Sequence, residues 1–145
     1  MKLTSKCEYG LLALLYMARQ DQRRPVTVAE IAEAQGIPRK FLEQILLALK
    51  LAGYLRSSKG PAGGFRLAVS PARVSLAKVI RALDGALAPT ESVSKYFYEA
   101  TPIEREEGLV LVFKDIRDYI SDKLERTSLA DLCGSSRTTG GKKEQ

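Results

Sequence analysis

The sequence predicts a mainly α-helical chain with one small β-wing and a long helix near its C-terminus, and three stretches carry that expectation. From Thr27 to Tyr54, TVAEIAEAQGIPRKFLEQILLALKLAGY has two runs of helical apolar spacing separated by a single glycine. Directly after it, two β-favouring runs flank a loop containing three glycines and a proline. Further on, Leu109 to Arg126 repeats apolar residues at helical spacing over eighteen positions, long enough for a rod of about 27 Å.

At the N-terminus, Thr4 can cap a helix reaching about Arg19. Its interior is apolar nearly all round, so both sides need cover, and one side is expected to be supplied by a second subunit. Gln20 to Pro25 is a polar, basic connection. Thr27 followed by Glu30 has capping-box spacing, so the next helix starts at Val28. Ala32 permits a close helix crossing, Gly36 suits a left-handed turn, and Ile37 and Leu42 pack just beyond it. Pro38 opens the second helix of the motif, where a missing N–H costs nothing.

That second helix divides by spacing. Leu42, Ile45, Leu46 and Leu49 share an inward face, while Lys40, Glu43, Gln44 and Leu47 share the other, with Arg39 beside them. Arg and Lys can meet guanine or phosphate, Gln can pair with adenine and Glu can accept from cytosine, so the outward set suits a DNA major groove. A solvated charged face on an ordinary helical hairpin remains the alternative. Tyr54 to Ser58 and Phe65 to Ala68 then form a hairpin around Lys59, Gly60, Pro61, Ala62, Gly63 and Gly64, completing a winged helix-turn-helix. Lys59 and Arg66 place positive charge at the base of this wing, and the glycines let its backbone approach a neighbour closely.

Ser75 caps a helix with Leu76, Val79, Ile80 and Leu83 on one face, ending at Gly85. Ala86 to Gly108 is a long irregular link, a length that is usually functional or mobile, and it contains Tyr96, Phe97 and Tyr98 in adjacent positions. These three are either a local plug against the neighbouring helix or the contact for an effector or partner. In the long helix, Leu109, Val112, Phe113, Ile116, Ile120 and Leu124 form the apolar stripe, suited to pairing with a second copy or to packing back on its own domain. The division is therefore a DNA-binding unit over residues 1–84, a link and possible sensor loop over 85–108, a dimerisation helix and C-terminal turn over 109–133, and a disordered tail over 134–145.

Charge follows the same division. Residues 1–75 hold twelve lysines and arginines against five acids, whereas residues 76–133 hold eight against eleven. Concentrated positive charge on the winged unit is the footprint of a polyanionic partner. With no apolar run long enough to span a bilayer and no signal-peptide pattern, a cytoplasmic protein without membrane contact is expected. The chain has no histidine and only two cysteines, Cys7 and Cys133. That removes the usual general base, the Ser-His and Cys-His nucleophile pairs and most zinc sites, so no catalytic residue and no enzyme is expected.

MKLTSK, AEIAEAQGIPRKFLEQIL, the wing SSKGPAGGFRLA, VSLAKVIRALDG and the closing TSLADL together resemble the bacterial winged-helix regulators of the Rrf-two family, over about residues 1–133. The resemblance implies a homodimer joined through its long helices, repressing or activating transcription from a near-palindromic operator. It assigns DNA contacts to Arg39, Lys40, Glu43 and Gln44, and to the wing at Lys59 and Gly60 to Gly64, with Thr27 and Pro61 in the candidate set. Two departures stand out. Cys7 and Glu8 replace the family's usual glycine and basic residue, and the link lacks the three cysteines that iron-sulfur members carry there. The expectation is thus a cluster-free repressor with no cofactor and no metal site, bound to double-stranded DNA as a homodimer. Its signal would be a small molecule or protein docking near Tyr96, Phe97 and Tyr98, or oxidation of Cys7 or Cys133. An iron-sulfur or thiol-based sensor and a winged-helix protein-binding adaptor are the competing functions.

Overall fold

The computed structural model describes residues 1–134, so the expectation of a disordered tail falls, apart from Gly134, outside the described residues. Eight regular elements follow in order: α1 Ser5–Ala18, α2 Val28–Gln35, α3 Arg39–Leu51, β1 Leu55–Ser58, β2 Gly64–Leu67, α4 Leu76–Leu83, α5 Glu107–Glu125 and α6 Leu129–Cys133. Short 3-10 turns at Pro71–Arg73, Glu91–Val93 and Pro102–Arg105 punctuate the connections.

Four of the helices start where a hydroxyl caps them. Thr4, Thr27, Ser75 and Ser128 each accept from the backbone N–H three residues on, satisfying one orphan donor of the first turn. Gly36 ends α2 in the left-handed conformation at φ 66°, as the turn of a helix-turn-helix requires. Pro38 differs from expectation by one position: it is the N-cap of α3, and the helix proper begins at Arg39. The core joins Leu14 and Met17 of α1, Ile31 of α2 and Leu42, Ile45, Leu46 and Leu49 of α3, with Leu55 and Leu67 closing the wing over it.

The capping box expected at Thr27 is only half formed. Glu30 does not reach back to the cap; its carboxylate receives both Nη atoms of Arg24, at 3.0 and 2.9 Å, and the hydroxyl of Tyr16 at 2.6 Å. A bidentate charge-assisted pair outcompetes a single bond to a backbone N–H, and it ties α1, the connection and α2 together. Arg24 first, then Tyr16, hold the Glu30 carboxyl down to about 2 from 4.5. Because the folded value is depressed, this stabilisation is complete above about pH 4.5 and is lost as pH falls toward 2. Glu30→Gln should therefore lower the melting temperature at pH 6 by a modest amount, since water screens the half-exposed Arg24, and the gap to the wild type should close by about pH 2 to 3. A gap in melting scans that does not change with pH would show that the charge contributes nothing.

Part of the far side of α1 is covered by its own chain, while Leu12 stays 40 % exposed. α4 lies against it through Ala77 and Ile80, and the C-terminal segment returns to close the domain. Residues 128–133, expected as a turn, form the capped helix α6, whose Leu129 is fully buried in the main core. Backbone bonds from Leu76 to Thr127 and from Leu129 to Val74 pin its start, and Arg19 Nη2 donates to the Leu132 carbonyl at its end.

α5 is the exception to this burial. Only Ser121 is fully buried along its nineteen residues. The expected stripe splits between two faces: Ile120 and Leu124 pack against Cys7, Ala77, Ile80 and Leu87, while Leu109, Val112 and Ile116 are exposed together with Tyr119.

Candidate nucleic-acid interface

α3 is held rigidly from behind. Its three buried leucines and one isoleucine are inaccessible to solvent, and Phe41 meets Tyr9 of α1 edge-on at 5.6 Å between ring centroids. Everything on the other side is free: Arg39, Lys40, Glu43, Gln44 and Leu47 are all exposed. Arg39 and Glu43 approach one turn apart at 3.9 Å, a loose exposed pair that either residue can leave at little cost. Thr27 lies at the start of α2, where its hydroxyl oxygen is engaged by the Glu30 N–H at 3.1 Å, so its primary task is the cap.

The wing is a two-stranded antiparallel hairpin with Leu55 opposite Leu67 and Ser58 opposite Gly64. Its base is fastened to the α1–α2 connection by reciprocal bonds between Val26 and Phe65, both 2.8 Å. Gly64 explains itself there: at φ 150°, a Cβ would stand 2.7 Å from the Val26 carbonyl oxygen. Gly63 is likewise closed in, its Cβ position 2.3 Å from the Ser58 carbonyl oxygen. Gly64 thus serves the close approach of the Val26 backbone to the wing, and Gly63 the tight turn of the loop itself, where its N–H donates to the Gly60 carbonyl. Lys59, Gly60 and Pro61 occupy the exposed tip, with Gly60 at φ 95°.

Sequence spacing left out one feature of the wing. Register places Arg56 directly opposite Arg66, and the Arg66 Nε is buried without a hydrogen-bond partner. Like charges facing across a hairpin are destabilising, and an orphaned guanidinium N–H adds to that cost. Such a pair makes physical sense next to a polyanion. Only the register reveals it, because ten positions separate the two arginines.

Tyr96, Phe97 and Tyr98 are all exposed, with Tyr96 at 70 %. Arg81 lies 4.9 Å from the Tyr96 ring centroid, Phe97 donates its N–H to Ser94 Oγ, and the Tyr98 hydroxyl donates to Glu104. A plug would bury these rings; here the Arg81 guanidinium lies over the Tyr96 ring and all three side chains remain exposed. A narrow cavity of about 10 Å³ behind Tyr96 and Phe97, lined also by Arg81 and Arg117, has room for one water.

A sequence profile of the Rrf2 family, described as iron-dependent transcriptional regulators, matches residues 3–135. The chain belongs to the Rrf2 family. Among Rrf2 relatives, the transcriptional regulator IscR of Vibrio vulnificus is 41 % identical over 132 residues, covering 91 % of this chain and 77 % of the relative. Among solved structures, CymR, the global cysteine regulator of B. subtilis, matches with a TM-score of 0.76 and 27 % identity, covering 94 % of this chain and 99 % of that one. IscR of T. potens matches with a TM-score of 0.72 and 26 % identity over 97 % of this chain and 94 % of that one. The winged helix-turn-helix is thus the fold of a DNA-binding Rrf2 transcriptional regulator rather than of an enzyme.

The family description raises the question of iron, and the side chains of this chain do not fit a cluster. An iron-sulfur centre takes about four thiolate or imidazole ligands held together. Cys7 is fully buried in the first turn of α1, where burial first and the nearby Asp84 second push its thiol up to about 12, keeping it protonated. Cys133 ends α6, which the Arg19–Leu132 bond places beside the other end of α1. About 18 Å of helix separates those ends, so the two sulfurs cannot share a metal within one chain. Among the described residues, no group of three or more His, Cys, Asp or Glu side chains could hold a metal ion.

Proposed function

We propose that this Rrf2 regulator is a cytoplasmic repressor that works as a homodimer, pairing through α5 and reading a near-palindromic duplex operator without an iron-sulfur cluster. The carrying observation is the pairing of a rigidly backed α3, whose free face offers Arg39, Lys40, Glu43 and Gln44, with a wing whose Arg56 and Arg66 face one another. Two such units related by a two-fold axis would present two recognition helices to successive major grooves. Lys59, Gly60 and Pro61 at the wing tip would follow the adjacent backbone. No helix among the described residues is long and apolar enough to cross a membrane, in keeping with a protein that works on DNA.

Selection of bound duplexes from a random pool tests the DNA reading directly. Glu43 repels phosphate, so its place on the free face of α3 suits a selector of bases. Glu43→Ala is expected to relax the selected sequence at one position per half-site, with overall affinity changed less than tenfold. An unchanged consensus would remove Glu43 from base recognition. A protein-binding adaptor, by contrast, would enrich no sequence at all.

Absence of a cluster has its own test. After anaerobic reconstitution with iron and sulfide, the protein is expected to carry far less than one iron per chain and no visible charge-transfer band. Stoichiometric iron lost on Cys7→Ala or Cys133→Ala would make it a sensor with ligands pooled from two subunits. The signal would instead enter at the exposed Tyr96, Phe97 and Tyr98, on the link between the DNA-binding unit and α5, where a bound effector or partner could bias how two protomers sit together.

A further inference from the structure

Leu47 is the one member of the outward face of α3 without a polar atom. It is 52 % exposed, although Ile45, Leu46 and Leu49 around it are completely buried, so about half of it lies outside the packing of the described residues. Three residues past Gln44 and four past Glu43, it continues their ridge by one turn, about 4.5 to 6 Å along the axis. That advance is between one and two base-pair steps in a groove followed lengthwise.

Resting on the reading of α3 as the helix that enters the major groove, we infer that Leu47 is a specificity residue that recognises a thymine through its C5-methyl group. Lys40, Glu43 and Gln44 can each exchange a hydrogen bond with a base edge or phosphate, but a leucine can gain free energy only by covering apolar surface. Among the four bases in a major groove, the methyl of thymine is the apolar group on offer. A polar edge placed under Leu47 would lose water without a partner, so the leucine selects for thymine and against bases that present donors or acceptors at that point. Leu51, 79 % exposed one further turn along, stands at the end of the helix next to Ala52 and Gly53 and does not share the polar neighbours that place Leu47 over bases.

The test removes the methyl and nothing else. Once an operator has been selected with the full-length protein, each thymine is replaced in turn by deoxyuridine, at the equivalent position of both half-sites, and affinity is measured. One position should lose about fourfold per half-site, or roughly fifteenfold for the pair, the ratio expected for exposing one buried methyl group twice. Leu47→Ala, an exposed substitution that leaves the core intact, should bind the thymine and deoxyuridine operators equally at that position while remaining sensitive to the bases read by Glu43 and Gln44. If no thymine position is sensitive, or if Leu47→Ala keeps the same sensitivity, the inference is wrong while the DNA-binding role stands. If no duplex is selected at all, the role of α3 itself fails, and the inference fails with it.

Discussion

Replacing Val112 and Ile116 together with glutamate is expected to give a folded monomer that binds the operator at least about a hundredfold more weakly. Leu109, Val112, Ile116 and Tyr119 follow one another at intervals of three, four and three residues, the spacing of a seam between paired helices. In a single chain this seam faces water: Val112 is 54 % exposed and Ile116 41 %. A row of four large apolar side chains along a rod of about 28 Å is more than scattered surface exposure, and a second copy laid against it would cover both rows at once. Four carboxylates brought into that seam would lose solvent with no cation opposite them. Neither residue supports the core of its own chain, so circular dichroism should report the same helix content while sedimentation reports half the mass. The fall in affinity follows because two linked half-sites bind as an intramolecular pair, an advantage a monomer forfeits. A variant that remains dimeric and binds as tightly would move the subunit contact elsewhere.

What could be seen in the sequence was whatever local chemistry decides. Thr4, Thr27 and Ser75 cap helices because a short side chain reaches a backbone N–H three residues away, and no tertiary contact has to cooperate. Gly36 and the leucines of α3 were legible for the same reason, as turn geometry and helical period are both local. The exposed face of α3 followed from that period, and the exposed wing tip from the glycines and proline of its loop.

The rest depended on partners distant in the chain. Glu30 has the right spacing for a capping box, but Arg24 and Tyr16 arrive from other elements and claim both carboxylate oxygens. α6 is only five residues long, too short for a periodic signal, and the burial of Leu129 depends on the return of the chain to Val74. Tyr119 falls outside the expected α5 stripe because a polar aromatic breaks an aliphatic pattern. Helical period alone could not show that Ile120 and Leu124 pack back on Ala77, Ile80 and Cys7 while Leu109, Val112 and Ile116 stay exposed. Gly64 shows the same dependence: the neighbour its backbone approaches closely is the Val26 carbonyl, which only the fold brings there.

Operator affinity is expected to fall about 10³- to 10⁴-fold between 50 and 200 mM monovalent salt. Arg39, Lys40, Arg56 and Lys59 are exposed in each protomer, and among the described residues none has a close carboxylate partner apart from the loose Arg39–Glu43 approach. Two protomers would then neutralise roughly six to eight phosphates, each releasing close to 0.9 of a counterion. Lys40→Ala should reduce the slope of log affinity against log salt by about two for the dimer, and weaken selected and random duplexes by similar factors, because a phosphate contact carries no sequence information. Glu43→Ala should leave that slope unreduced, since a carboxylate displaces no counterion from DNA. The two substitutions thus separate charge from base reading on one helix face. A slope near zero, or a Lys40→Ala effect confined to the selected sequence, would contradict the assignment of Lys40 to the backbone; a zero slope in the wild type would turn the free face of α3 into a protein-docking surface.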